Sequence, residues 1–272
     1  MSIVKTVKKI IYGNIPYFHY RFFKPDSPKT EYYKFMKDNG YTHFPYDYAQ
    51  NYIKMQVNII DDQEKGLKYV IHKQNKKLYF PSDLPNEKIV KIYKSLLIEQ
   101  DVNSPHHYVD SHDEFKDKII LDIGSAEGLT SLEAVETAGF IYLFECKKEW
   151  IKALHATFEP WKEKIGIIPK FVSNKNSDDT ITIDDFLKDK PKDNLFVKMD
   201  IEGEERYALQ GAEKLFSSNP GTQFAICTYH KKDDEKVISS YLDKYQCIYS
   251  VRNGYLYYKH HLRTCLIRGY TK

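Results

Sequence analysis

A chain of 272 residues is long for one compact domain and short for two, so it reads as one domain with an appendage. Lys and Arg number 41 against 38 Asp and Glu, and the formal net charge of +3 is too mild to argue for nucleic acid. No uninterrupted apolar run approaches the roughly 18–20 residues that cross a bilayer, and four cysteines without a C-x-x-C pair supply neither a zinc nor a redox motif.

The first segment, MSIVKTVKKIIYGNIPYFHYRFF, lacks the apolar core and cleavage site of a secretory signal. Ile3, Val7, Ile10 and Ile11 fall near helical spacing with Lys5, Lys8 and Lys9 between them, a pattern that suits docking onto the protein or an anionic membrane surface. The aromatic stretch that follows shows no clear period. From Met55 to Phe80 the runs KMQVNII, LKYVIH and KLYF alternate as an antiparallel meander, with DDQEKG and KQNK as turns. SDLPNEKIVKIYKSLLIEQ is a capped helix with Ile89, Ile92, Tyr93, Leu96 and Leu97 along one face. VNSPHHYVDSHDEF is the loop leading to the first core strand.

Beyond Lys116 apolar strands and helices alternate. The strands are IILDIG, FIYLFE, IGIIPKFVS, NLFVKMD and QFAICTYH; the helices are GLTSLEAVETA, KEWIKALHATF, EERYALQGAEKLF and DEKVISSYLDKY. QCIYSV and TCLIRGY give two last strands. This rhythm predicts an α/β fold, a mostly parallel sheet with helices on both faces. The expected division is an N-terminal α+β extension over 1–112 and a cofactor-binding domain over 113–272. Cys227, Cys247 and Cys265 sit in apolar runs and read as small buried hydrophobes, which fits a reducing, cytoplasmic setting.

In such a sheet ligands bind beyond the carboxyl ends of the strands, where the strand order reverses. The tips to consider are Asp122–Gly128, Glu145, Ser173, Asp200–Glu205 and Thr228–His230. Gly124 lets the backbone turn sharply beside a ligand, with Asp122, Ser125 and Ala126 in the same turn. Gly128 opens a helix whose free N–H groups suit an anionic ligand group. Ala126 stands where a dinucleotide motif has its second glycine, which leaves less room for a pyrophosphate. A ligand with a carboxylate and a ribose, such as S-adenosylmethionine, fits better. Glu145, at the next tip, can accept the hydroxyls of that ribose or cap the helix beginning near Lys147. At the fourth tip the helix dipole, worth about 0.3–1 kcal/mol per carboxylate, accounts for Glu204 and Glu205. Asp200 and Glu202 are left to face the crevice.

With these tips in hand, the chain resembles the FkbM family of S-adenosylmethionine-dependent methyltransferases. ILDIGSAEGLTSLEA looks like that family's first motif, and KMDIEGEERYALQGAEKLF is similar to its distinctive acid–x–Glu–Gly motif ending in Gly-Ala. TITIDDFL places Asp184 where the family carries an aspartate, and AICTYHKKDDEKV looks like its Tyr-His variant. The likeness runs from about Ser104 to Tyr270. It implies a seven-stranded class I methyltransferase sheet, Rossmann-like with one antiparallel strand, S-adenosylmethionine as donor, and O-methylation of a saccharide or related small molecule, in many members for surface polysaccharides.

Methyl transfer to a hydroxyl calls for a base or a metal. Asp200, Glu202 and His230 are the candidates at the strand tips, with Asp200 expected chiefly to orient the cofactor because its strand borders the donor pocket. Together they also offer oxygen and nitrogen ligands for a divalent cation, the less favoured reading. His106, His107 and Tyr108, in the loop before the first core strand, are expected to cover the cofactor or touch the acceptor. The expected partner is a small-molecule or glycan acceptor, with no nucleic acid. Peripheral membrane contact by the N-terminus and a homo-oligomer stay open. The competing readings are an NAD-dependent dehydrogenase, disfavoured by Ala126 and the Glu-Gly turn, and a non-catalytic module binding adenosylmethionine or a glycan.

Overall fold

The computed structural model describes residues 3–272. The side chains of Ile3 and Lys5, part of the N-terminal pattern, lie outside the described residues. Helix α1 (Ile3–Lys9) passes through a π-helical turn (Ile10–Asn14) into α2 (Ile15–Phe23), and the chain folds back as α3 (Lys29–Asn39) and α4 (Ala49–Ile53). The meander follows as β1 (Ile59–Asp62), β2 (Leu67–Ile71) and β3 (Lys77–Phe80), antiparallel throughout. Its first strand lies later than the sequence suggests, because the expected turn residues Asp61 and Asp62 belong to it. Asp62 accepts the Lys65 N–H at 3.0 Å and the Tyr79 hydroxyl at 2.7 Å, which closes the turn one step further on. Helix α5 (Asn86–Glu99) buries Ile89, Tyr93 and Ile98.

The remaining elements are β4 (Ile119–Ile123), α6 (Leu129–Ala134), β5 (Phe140–Phe144), α7 (Lys148–Phe158), β6 (Ile165–Ile168), β7 (Phe171–Val172), β8 (Thr180–Ile181), α8 (Ile183–Phe186), β9 (Leu195–Met199), α9 (Glu205–Gln210), α10 (Glu213–Ser218), β10 (Gln223–Cys227), α11 (Asp234–Lys244), β11 (Ile248–Val251), β12 (Tyr255–Tyr258), β13 (His261–Thr264) and β14 (Leu266–Tyr270). Seven strands form the main sheet in the order β11-β14-β10-β9-β4-β5-β6. Every neighbouring pair is parallel except those of β14, which runs antiparallel to β10 and β11. Alternate residues of one strand enter opposite cores, as the two-residue period demands. Ile120, Phe196 and Ala225 face one core, and Leu121, Val197 and Ile226 face the other.

Three elements depart from expectation. The predicted third strand breaks at Pro169, which has no N–H to give the ladder. β6 stays in the sheet, and β7 leaves it to pair with β8. The helix after β9 divides at Gly211, where an added Cβ would stand 2.1 Å from the Ser173 carbonyl oxygen. α6 stops at Ala134 instead of running to Ala138, since the Thr137 hydroxyl and the Thr137 and Ala138 amides all converge on the Ala134 carbonyl.

One hydrophobic cluster crosses the expected boundary at residue 112, joining Phe44, Leu78, Phe80 and Ile89 to Ile120, Leu132, Phe196 and Leu266. The β12–β13 hairpin, absent from the sequence reading, packs Tyr257 and Leu262 against Tyr33 and Met36 of α3. Much of the chain's tyrosine is spent there. Among the described residues no helix is long and apolar enough to cross a membrane. All four cysteines are free, with Cys227 and Cys265 buried and Cys146 and Cys247 partly so.

Candidate active site

From β4 the chain moves outward through β5 and β6, then returns to β9 on the other flank of β4. The strand order therefore reverses between β4 and β9, and there their tips touch. Gly124 has φ +82°, and a Cβ on it would lie 2.0 Å from the Asp200 carbonyl oxygen. Nothing but glycine fits. Ala126 (φ +44°) and Glu202 (φ +59°) hold left-handed backbone on the two facing tips, a conformation that costs a non-glycine residue about 1–2 kcal/mol. Gly203, at φ +102°, makes the turn after Glu202 against the His230 and Lys231 side chains.

Two charged residues in apolar strands brace this junction. Asp122 and Lys198 are register partners on β4 and β9. The Lys198 ammonium sits 2.8 Å from Asp122 Oδ1 and donates to the Gly124 carbonyl at 2.7 Å, while Ser131 donates to Asp122 Oδ2 at 2.6 Å. Burial lowers the Lys198 pKa, but the neighbouring Asp122 and Asp200 carboxylates outweigh it, and the net shift is upward. Asp122 was expected to hold the cofactor; although it borders the cavity, its charge is met inside the protein. Ser125 is also tied inward, donating to the Asp122 carbonyl at 2.9 Å.

Above the junction opens a cavity of about 910 Å³, within the range of small-molecule sites of about 300–1,000 Å³. It is bordered by Gly124, Ser125, Ala126, Glu145, Ser173, Asp200 and Glu202 from the strand tips, by Tyr108 and Tyr229, and by α5. Gly128 does not border it; it packs against α7, where a Cβ would meet Leu154 at 2.8 Å. The first turn of α6 reaches the cavity through Leu129 and Thr130 instead.

Glu145 accepts the Cys146 and Lys147 amides on Oε1, at 2.9 and 2.8 Å, and the Ala126 amide on Oε2 at 3.1 Å. It thus holds the start of α7 and ties it to the glycine loop, with lone pairs left over for a ligand. Asp184 points elsewhere, accepting the Lys214 and Leu215 amides, both at 2.9 Å, at the start of α10.

Asp200 is the hub. Its carboxylate accepts the Tyr108 hydroxyl at 2.8 Å and the Tyr229 hydroxyl at 3.2 Å, and His230 Nε2 lies 3.5 Å from Oδ1. Burial pushes its pKa up, yet Lys198, His106, His230 and the Tyr108 hydroxyl more than reverse this, so the net shift is downward. Behind His230, Nδ1 meets Glu205 Oε1 at 2.9 Å, and that carboxylate also accepts the Ile201 amide at 2.9 Å. Glu205 is fully buried, and helix-dipole stabilisation alone does not describe it. Burial lowers the His230 pKa, but the Glu205 hydrogen bond and the Glu205, Asp200 and Glu202 charges outweigh it, giving a net rise. His230 itself stands behind Asp200 and does not border the cavity. The Glu202 carboxylate is 84% exposed and 3.8 Å from His230 Nε2.

The histidine pair is not a surface lid. His106 is buried beneath Asp200, 3.8 Å away, with its other neighbour Cys227 Sγ at 3.5 Å. Burial brings its pKa down to about 4. His107 is also buried, beside His112 and away from the cavity. Only Tyr108 of that trio borders the cavity.

Two half-buried carboxyls escaped the sequence reading. Glu99, the last residue of α5, and Glu127, inside the glycine loop, both border the cavity. Burial lifts the Glu127 pKa to about 7, and burial with the nearby Asp200 and Glu127 charges lifts that of Glu99 well above the carboxylate range. Glu127 was visible as the one charge in GSAEG; Glu99 ends an ordinary amphipathic helix and gave no signal. Among the described residues two groups bring metal-ligating atoms within 4.8 Å of one another, His106–Asp200–Cys227 and Asp200–Glu205–His230. Glu205 takes the place that the sequence reading gave to Glu202.

An acid-rich cavity suits a ligand that carries a sulfonium and an ammonium group, as S-adenosylmethionine does. The chain is similar to several solved structures at low identity. They include a putative transferase of Pyrococcus horikoshii, with 12% identity, 76% of this chain and 72% of that one covered, and a TM-score of 0.48. An rRNA methylase of Streptococcus thermophilus is 14% identical over 63% of this chain and 99% of its own, with a TM-score of 0.45. A putative methyltransferase of Streptococcus mutans, solved in complex with SAH, is 12% identical over 58% and 94%, with a TM-score of 0.41. No protein of curated function matches the chain. The family model of the methyltransferase FkbM domain matches residues 66–257, well over half of the sequence, and the chain belongs to that family of S-adenosylmethionine-dependent methyltransferases.

Proposed function

We propose that the protein transfers a methyl group from S-adenosylmethionine to a hydroxyl of a saccharide or related small molecule, in the cytoplasm and in the service of surface-polysaccharide synthesis. The observation that carries this reading is the line from the cavity through Asp200 and His230 to Glu205, with contacts of 3.5 and 2.9 Å. Bound S-adenosylmethionine supplies an electrophilic methyl carbon on a sulfonium. Gly124, Ser125, Ala126 and Ser173 would line the wall against which it binds, and Glu145 would receive its ribose hydroxyls. Asp200, ionised and held by Tyr108 and Tyr229, accepts the hydrogen bond of the acceptor hydroxyl. The acceptor's proton would pass to Asp200 and on to His230 Nε2, with Glu205 facing Nδ1 on the far side of the ring. Tyr108 and Tyr229 keep their protons, since burial and the Asp200 charge raise both hydroxyls well above their usual range.

Charge speaks against the dehydrogenase reading. A dinucleotide would bring its diphosphate toward the Asp200 carboxylate, which is held in its ionised form, with Lys198 already paired. Lys88 and Lys91 on the exposed side of α5 border the same cavity and suit an acceptor with acidic groups. The test is to incubate the protein with methyl-labelled S-adenosylmethionine and a panel of sugar nucleotides and oligosaccharides, following label uptake and adenosylhomocysteine release. Uptake by a saccharide that is lost in Asp200→Asn supports the assignment. Binding of NAD without S-adenosylmethionine, or adenosylmethionine binding with no turnover on any glycan, sinks it.

A further inference from the structure

The helix at the front of the chain is held along one side and bare along the other. Gly13 lies against the backbone of α3, where a Cβ would stand 2.8 Å from the Met36 carbonyl, and Tyr12, Tyr17 and Tyr20 join the aromatic cluster of α3 and the hairpin. On the open side Val4, Val7, Ile11, Ile15, Phe18 and Phe22 are between 45% and 73% exposed. Their spacing of three and four residues makes one continuous row along α1 and α2, about 30 Å long at the rise of a helix. Exposed apolar residues scattered singly are ordinary, whereas an aligned row of this length marks a contact surface.

Charge decides what the contact is. The first 25 residues contain no Asp or Glu, while Lys8, Lys9, Arg21 and Lys24 border the row. Lys8 and Lys24 lie over the Tyr41 and Tyr20 rings and Lys9 donates to the Asp38 carbonyl at 3.1 Å, which places these cations at the flank where the helix meets α3. The acids of α3 nearest to it are engaged, Glu31 with Lys34 and Asp38 with Lys37. A second copy facing this surface would meet the same cations, an arrangement that repels. A peripheral helix with lysines beside an apolar face is the form that lies in the headgroup boundary of an anionic bilayer.

We propose that α1 and α2 seat the protein on an anionic membrane surface, with the apolar row immersed and the cations against lipid phosphates. The contact does not depend on which acceptor is methylated. The full chain, mixed with vesicles of phosphatidylglycerol and phosphatidylcholine, should sediment with them at low salt and be released as ionic strength rises. Vesicles of phosphatidylcholine alone should retain far less. Lys8→Gln and Arg21→Gln should each weaken retention roughly fivefold, and the double change Phe18→Ser/Phe22→Ser should abolish it. Both phenylalanines are exposed, so unchanged S-adenosylmethionine binding certifies that these variants are folded. Failure of the native chain to bind anionic vesicles at low salt overturns the proposal. So does a stable dimer in solution that Phe18→Ser/Phe22→Ser converts to monomer.

Discussion

Glu205 Oε1 lies 2.9 Å from Nδ1 of His230, in a part of the protein closed to water, and the far side of the same imidazole faces Asp200. The Glu205 charge beside Nδ1 favours a proton there and leaves Nε2 as the more basic atom. Glu205→Gln keeps the shape and removes the charge. It should lower the His230 pKa and move the acidic limb of the pH–rate profile to lower pH, with little effect on donor affinity. His230→Ala should reduce turnover by roughly 10²–10⁴-fold, the usual worth of a positioned base. The linkage has a definite sign. His230 titrates above its unfolded value of about 6.5, so its contribution to stability is complete below about pH 6.5 and is lost as pH rises through the folded value. Urea midpoints across this window should decline with pH in the native protein and flatten in Glu205→Gln. Equal slopes in the two proteins would remove the charge of Glu205 from the argument.

The contact between Gly124 and Asp200 makes a second expectation. Gly124→Ala carries a backbone cost of about 1–2 kcal/mol for its left-handed conformation, and the 2.0 Å approach to the Asp200 carbonyl adds to it. Gly221 provides the control: its φ is +80° and an added Cβ meets nothing within 4 Å. Gly221→Ala should therefore show the backbone cost alone, a fall in Tm of roughly 2–8 °C. Gly124→Ala should lose more, together with S-adenosylmethionine affinity. Equal losses in thermal melts would mean the β4 and β9 tips are not locked together.

Sequence reading went furthest where burial dictates composition. Strands covered on both faces must be apolar throughout, so IILDIG, FIYLFE and NLFVKMD declared a parallel sheet, and their polar ends declared the site. Pairing across the fold was out of reach. Glu205 reads as an acid at a helix start, and its partner His230 lies on another strand tip; nothing local joins them. His106 and His107 look like a polar loop, but the segment folds inward and delivers Tyr108 to Asp200. One tertiary pair did leave a trace. A lone Asp in IILDI and a lone Lys in LFVKM, each within a strand that must be buried, are tolerable only together.

That pair can be tested directly. Lys198→Met leaves Asp122 buried and uncompensated, which should cost about 3–5 kcal/mol in chemical denaturation. It also frees the Gly124 carbonyl, so donor affinity should fall with stability. Combining it with Asp122→Leu should recover most of the stability and none of the affinity. If the single change is nearly neutral, Asp122 and Lys198 do not carry the junction.

Glu127 offers the test of how the cavity recognises charge. Its carboxyl titrates near pH 7 because burial disfavours the anion, and a cationic ligand beside it favours that anion. S-adenosylmethionine carries the sulfonium charge that adenosylhomocysteine lacks. The ratio of their affinities should therefore rise with pH through about 7 as Glu127 ionises. At an effective dielectric of about 20, one charge roughly 8 Å away is worth about 2 kcal/mol, so the change should exceed about tenfold. Glu127→Gln should flatten the dependence and hold the ratio near its acid value, while the response to adenosylhomocysteine alone changes less. Calorimetry of both ligands from about pH 6 to 8 reads this directly. A ratio that stays constant with pH in the native protein would show that Glu127 does not sense the donor's charge, leaving Asp200 and Glu99 as the acids that face it.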